Sequence, residues 1–140
     1  MIEVRLSNSF RSLQGSYVVD PRDFVDYRDF VEDGFVDISP GDFLLARSVE
    51  KVQVPKGYFG ILFAKSTLLR CGLVFGCGFV QPGWDNHLVL ELGNLNKYRQ
   101  LRLWIGDPIA HMALVCGENL PAVLGHYGLD NPMAPKVDKR

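Results

Sequence analysis

Apolar and polar positions alternate in short runs from the start of the chain. In IEVRL, Ile2, Val4 and Leu6 share one face and Glu3 and Arg5 the other, the period of a half-buried strand. The same alternation returns in HLVLEL, with Leu88, Leu90 and Leu92 on one side and His87, Val89 and Glu91 on the other. FVDIS and DFLLARSV flank Ser39-Pro40-Gly41-Asp42, where proline in second place and glycine in third suit a type II turn. VQVPKGYFGILFA predicts two more strands around Pro55-Lys56-Gly57, and RQLRLWI and PIAHMALV complete the set. Short, closely spaced strands separated by turn residues predict an all-β domain, a sandwich or a barrel.

Five stretches break the pattern. Residues 20–34 (DPRDFVDYRDFVEDG) place Phe24, Tyr27, Phe30 and Val31 at three- and four-residue steps, which suits a short helix, but their acidic density favours an ordered loop. STLLRC predicts a single helical turn capped by Ser66. GLVFGCGFV reads as a strand or hairpin that something else approaches closely, and QPGWDN as a turn. From Asn119 the chain holds three prolines and ends KVDKR. Residues 1–118 are therefore expected to form the barrel and 119–140 a mobile, lid-like tail.

Composition narrows the classes. The 140 residues suit one domain with a real core, and 47% hydrophobic with 22% charged residues is ordinary for a soluble protein. A net charge of -1 leaves no excess of Lys and Arg to neutralise phosphates along a nucleic acid, so no nucleic-acid partner is expected. Cys71, Cys77 and Cys116 form no disulfide framework, and are read as small buried hydrophobes in a reducing cytoplasm. Neither a membrane-spanning run nor a signal-peptide pattern stands out, so no membrane partner and a cytoplasmic location are expected.

Known catalytic signatures are missing. There is no H-x-E with P-C-x-x-C of a zinc deaminase, no H-E-x-x-H, no G-x-S-x-G and no P-loop. His87, His111 and His126 are scattered and read as structural or solvated. Two features remain. AKSTLLR gathers Lys65, Ser66, Thr67 and Arg70, which fits either a phosphate site at a helix start or a capped, solvated surface turn. Glu91 is a carboxylate near the end of an apolar strand.

Here the chain resembles a family. AKSTLLRCGL is similar to the G-R-S-S-L-A-R-x-G-L motif of dCTP deaminases, and CGFVQPGWDNHLVLELGN to their T-A-x-x-I-D-P-G-W-x-G-x-I-x-L-E-x-x-N motif. VRLSNSFR resembles their V-R-L-G-N-x-F-R opening and PAVLGHYG their P-A-x-x-P-Y segment, in the same order. The family is related to the trimeric dUTPases. The resemblance implies a distorted β-barrel of jelly-roll type, a homotrimer with active sites between subunits, and hydrolysis of dCTP to dUTP and ammonia. Mg²⁺ would travel with the triphosphate, and zinc would not be needed.

Residue by residue, the resemblance makes Glu91 the catalytic glutamate, with Ser66 and Arg70 positioning the water, Glu91 and the base. Lys65, Ser66 and Thr67 would hold phosphates. Trp84 would cover the sugar or base, backbone groups of Cys77, Gly78 and Val80 would read the base edge, and Gln81 and Tyr127 would add substrate contacts. Burial would raise the pKa of Glu91 and Arg70 would lower it, and the sequence does not decide between them. Four departures bear on this. Gln81 stands where the family has Asp, which weakens the case for dUTPase chemistry and opens the question of sugar selectivity. The family's N-terminal helical segment and its phosphate-closing tail have no recognisable counterpart. The Arg70-to-Gln81 stretch is two residues short, with Cys77 replacing a small alanine, so a modified cytosine remains a candidate. The alternatives are a dUTPase-like nucleotide pyrophosphatase and a non-catalytic nucleotide-binding regulatory trimer.

Overall fold

A computed structural model describes residues 1–14, 18–23, 25–76 and 78–117. Its elements are β1 (Ile2–Leu13), β2 (Tyr27–Val31), β3 (Phe35–Ile38), β4 (Phe43–Gln53), β5 (Tyr58–Ala64), α1 (Ser66–Leu69), β6 (Leu73–Phe75), β7 (Phe79–Val80), β8 (Asp85–Asn94), β9 (Leu101–Trp104) and β10 (Pro108–Cys116). The domain is all-β with one short helical turn, as the alternation predicts. Glycines at positive φ close the turns where they were expected: Gly41 at 71°, Gly57 at 86° and Gly83 at 88°. The matching i→i+3 bonds run from Asp42 N to Ser39 O, Tyr58 N to Pro55 O and Trp84 N to Gln81 O.

The main sheet runs β6-β8-β4-β1-β10-β5-β7, with β2 added beside β1, and β3 pairs with β9 in a small second sheet. Strands β6 and β7 are adjacent in sequence yet lie at opposite ends of that path. The chain from Phe75 to Phe79 reaches at most about 14 Å. The sheet must therefore curl until its ends meet, and residues 76–78 span the seam of the resulting half-barrel. Inside sit Val4, Leu6, Phe10, Ile38, Leu90, Leu92, Leu103, Ile109 and Met112, all essentially sealed from water.

Several expectations change. Residues 27–31 are a strand, not loop or helix: β2 pairs with β1 from Ser9↔Val31 to Leu13↔Tyr27. The ladder is reinforced by Phe10 stacked on Phe30 at 5.4 Å and by Arg11 donating to Asp29 Oδ2 at 2.9 Å. These long-range contacts override the local period. DFLLARSV and VQV are one strand, β4, bulged against β8 between Arg47 and Lys51. Ser48, fully buried there, repairs the ladder: its hydroxyl donates to Glu50 O and accepts from Leu88 N, each at 2.7 Å. His87 Nδ1 lies 3.0 Å from Ser48 O and must carry the proton, since a carbonyl only accepts. GLVFGCGFV is not a hairpin, because its two strands pair with β8 and β5. Cys71 and Cys116 are exposed free thiols rather than buried, one beyond α1 and one at the end of β10. The proposed tail, 119–140, lies outside the described residues, as does His126. Among the described residues no helix is long and apolar enough to cross a membrane.

Candidate active site

Strand β8 places Glu91. Its burial alternates along the strand, with Leu88, Leu90 and Leu92 in the core, so Glu91 points out of the barrel by the parity read from HLVLEL. On one side Glu91 pairs with Leu45 of β4, a buried residue. On the other, beyond the last β6 pair, Phe75↔Leu92, the Gly76 N–H donates to Glu91 O at 3.0 Å. The carboxyl bends over this glycine: a Cβ at position 76 would lie 2.8 Å from Oε2 and 3.3 Å from Cδ.

That contact has an electrostatic consequence. Glu91 as a residue is exposed, yet its carboxyl packs against Gly76 and gives up part of its hydration. Desolvation raises its pKa above the usual carboxylate value, opposed only by its own backbone N–H. Among the described residues no cation offsets the effect. The contest between burial and Arg70, open in the sequence, goes to burial here.

The residues of AKSTLLR lie on and beside α1. Lys65 is the extended N-cap residue, so Ser66 is the first helical residue, and no side chain caps the helix. The predicted Ser66 cap is therefore not formed. Ser66, Thr67 and Arg70 are exposed, and Lys65 is half-buried. Among the described residues no hydrogen bond or ion pair joins Glu91 to Lys65, Ser66, Thr67 or Arg70.

The turn before β8 places the rest. Trp84 packs against the core and donates Nε1–H to Asn86 O at 3.0 Å, so its ring face, not its N–H, is available. Val80 is buried at the β7 edge, leaving only its backbone for recognition. The Gly78 carbonyl already accepts from Leu62 N at 3.0 Å. Gln81 differs: its Oε1 is buried with no hydrogen-bond partner, which is costly unless a donor arrives. Cys77 and Tyr127 lie outside the described residues.

Sequence reasoning missed Gly76, whose meaning depends on strand register, and Asn94. The latter is almost fully buried and donates Nδ2–H to Ile38 O and Arg99 O, while its Oδ1 accepts from Asn96 N. It locks the end of β8 to the end of β3 and to the loop that follows β8, and so holds Glu91's strand in place. The asparagine closing the LELGN motif was the available signal. A separate polar cleft of 460 Å³, lined by Asn8, Glu32, Asp33, Arg47 and His87 among others, contains none of the expected site residues. Among the described residues no three His, Cys, Asp or Glu side chains gather as metal ligands.

Comparison with known proteins identifies the fold and the family. Curated relatives named dCTP deaminase include that of Roseiflexus castenholzii, 32% identical over 84% of this chain and 61% of its own length. That of Azoarcus sp. is 36% identical over 79% of this chain and 60% of its own. That of Nautilia profundicola is 31% identical over 98% of this chain and 78% of its own. The chain spans about 60% of the length of the first two. Among solved structures, the 2′-deoxycytidine 5′-triphosphate deaminase of Agrobacterium tumefaciens superposes with a TM-score of 0.67 at 20% identity, over 86% of this chain and 42% of its own. Native EIAV dUTPase superposes at 0.55 with 22% identity, over 78% of this chain and 90% of its own. These two share the curled β fold. A family model described as dCTP deaminase-like matches residues 2–115, most of the described chain, and the chain belongs to that family.

Proposed function

We propose that the protein hydrolyses dCTP to dUTP and ammonia, with Glu91 as the proton shuttle. One observation carries the reading: a desolvated carboxyl of raised pKa, without an ion-pair partner among the described residues, in the LELGN segment that resembles the family's glutamate motif. Water adds to C4 of the cytosine ring. Both of its protons are passed on by Glu91, one to ring N3 and one to the amine on C4. The C4–N bond breaks, ammonia leaves, and C4 keeps the oxygen as a carbonyl. A carboxyl whose pKa is raised toward neutral accepts and returns protons more evenly than one held at the ordinary value.

Ser66 and Arg70 position the water and the base, and Lys65 and Thr67 hold phosphates, with Mg²⁺ arriving on the triphosphate and zinc playing no part. The ring of Trp84 covers the nucleoside, backbone groups at Cys77, Gly78 and Val80 meet the base edge, and Tyr127 adds a contact. Gln81 Oε1, buried and without a donor, accepts from a sugar hydroxyl. The site forms between subunits of a homotrimer. Its support is the lack, among the described residues, of any bond between Glu91 and the basic, hydroxyl-bearing segment. An outward apolar stripe also supports assembly: Phe59 stacks on Phe79 at 5.0 Å, and Phe63 is 48% exposed.

Incubation with dCTP, dCMP, CTP and dUTP, followed by chromatography, tests this. Conversion of dCTP to dUTP with all three phosphates retained is expected. Pyrophosphate release from dUTP would replace the reading with dUTPase chemistry. Binding without turnover would make the protein a nucleotide-sensing trimer.

A further inference from the structure

We propose that Gly76 is a positioning residue for Glu91: its missing side chain is the space in which the Glu91 carboxyl rests. This deepens the proposed function and rests on it for its catalytic meaning, though the contact itself does not. Gly76 is not among the positive-φ glycines, so its backbone conformation is open to other residues. The need for glycine is therefore one of space. A Cβ there would meet Glu91 Oε2 at 2.8 Å, Glu91 Cβ at 3.0 Å and Glu91 Cδ at 3.3 Å. All three nearest atoms belong to one side chain.

The surroundings leave the carboxyl little alternative. Leu45 fills the β4 side of Glu91, and the Gly76 N–H to Glu91 O bond fixes the two backbones at 3.0 Å. Carboxyl and glycine are thus pinned by one ladder, at the seam where the sheet closes and beside the segment proposed to read the base. The nearest charges on this face beyond Leu45 are Arg11 of β1, directly opposite Leu45, and Asp29 of β2, which are tied to each other. Register puts Phe43, Leu45 and Arg47 on it from β4, with Arg47 opposite Val89, and β6 adds only Val74; His87 lies further along β8 itself. A methyl group at position 76 must push Oε2 from 2.8 Å to an ordinary contact of at least 3.4 Å, turning the carboxyl toward water. That is a shift of at least about 0.6 Å, and a misplacement of about 1 Å can cost about 10²-fold in rate.

The test compares Gly76→Ala with Gly93→Ala. Gly93 lies two residues from Glu91 on the same face, and a Cβ there meets its nearest atoms, Val74 Cβ at 3.5 Å and Asp42 O at 3.7 Å, at ordinary contact. Carboxyl ¹³C NMR, assigned with Glu91→Gln, follows the titration of Glu91, and steady-state kinetics follow dCTP. In Gly76→Ala the titration midpoint should fall toward that of an ordinary glutamate. The acid limb of the kcat profile should move the same way, and kcat should drop about 10- to 100-fold with KM changed far less. Gly93→Ala should leave all of these in place. If Gly76→Ala is poorly folded, a double-mutant cycle with Glu91→Ala reads the contact from thermal unfolding, and strong non-additivity is expected. An unmoved Glu91 midpoint in Gly76→Ala, an equal shift in Gly93→Ala, or additive stabilities would overturn the assignment. If wild-type protein fails to deaminate dCTP, the function falls, while the titration and the cycle still judge the contact.

Discussion

Glu91 shows what alternation reveals and what it hides. Its outward face follows from the spacing of Leu88, Leu90 and Leu92. Its environment does not, because Gly76 lies fifteen positions earlier and meets it only through strand register. The raised pKa has a thermodynamic consequence. A carboxyl pKa that is higher in the folded state means the fold binds the proton more tightly than the unfolded chain. This group's contribution to stability is therefore greatest below the ordinary glutamate pKa and declines as pH rises through the raised folded value. Glu91→Gln removes the charge that burial disfavours. It should raise the thermal midpoint slightly at pH 7, with no gain near pH 4, while kcat for dCTP falls at least about 10²-fold. A lower midpoint at neutral pH would contradict the desolvation argument. Gln81 is the second test at this scale. Gln81→Leu takes the orphaned oxygen away from its proposed ligand donor, and KM for dCTP should rise about tenfold with kcat less affected. An unchanged KM would assign the buried amide to something other than the nucleotide.

Strand β2 shows why local pattern failed where it did. Phe24, Tyr27, Phe30 and Val31 fall on helical spacing, yet residues 27–31 are extended because β1 offers a ladder, an aromatic stack and a buried guanidinium. None of these is visible within the segment. Arg11 is largely buried while Asp29 is exposed, and the hydrogen bond from Arg11 holds the Asp29 carboxyl below its ordinary pKa. The sign is opposite to that of Glu91. The pair stabilises fully above the unfolded aspartate pKa and is lost as pH falls through the lower folded value. Solvent screens the Asp29 end, so Asp29→Asn should cost about 1 kcal/mol in urea unfolding at pH 7 and much less near pH 2. An equal cost at both pH values would show that the charge is not what matters. The type II turns at Gly41, Gly57 and Gly83 were legible because each is specified by its own four residues.

For the whole molecule, strand count and turn spacing reach a sandwich or a barrel and the family resemblance singles out the barrel, but neither gives its closure. That β6 and β7 end on opposite edges of the sheet is a topological fact with no local signature. The same holds for assembly. Among the described residues no bond joins the proposed proton shuttle to the basic, hydroxyl-bearing segment, and an intersubunit site follows only if copies associate. Co-expressed Glu91→Gln and Arg70→Ala chains should form mixed trimers with some dCTP deamination, because one interface then pairs an intact Glu91 with an intact Arg70. Persistent inactivity of the mixture, with subunit mixing shown by native mass spectrometry, would place both residues in a site within one chain or remove one of them from catalysis.

The most direct test of the central claim is ammonia release from dCTP by the wild-type protein and by Glu91→Gln. Wild-type protein should release one ammonia per dUTP formed, while the variant still binds dCTP and releases almost none. Release by the variant at a near-normal rate, or none by the wild type despite binding, would contradict the account.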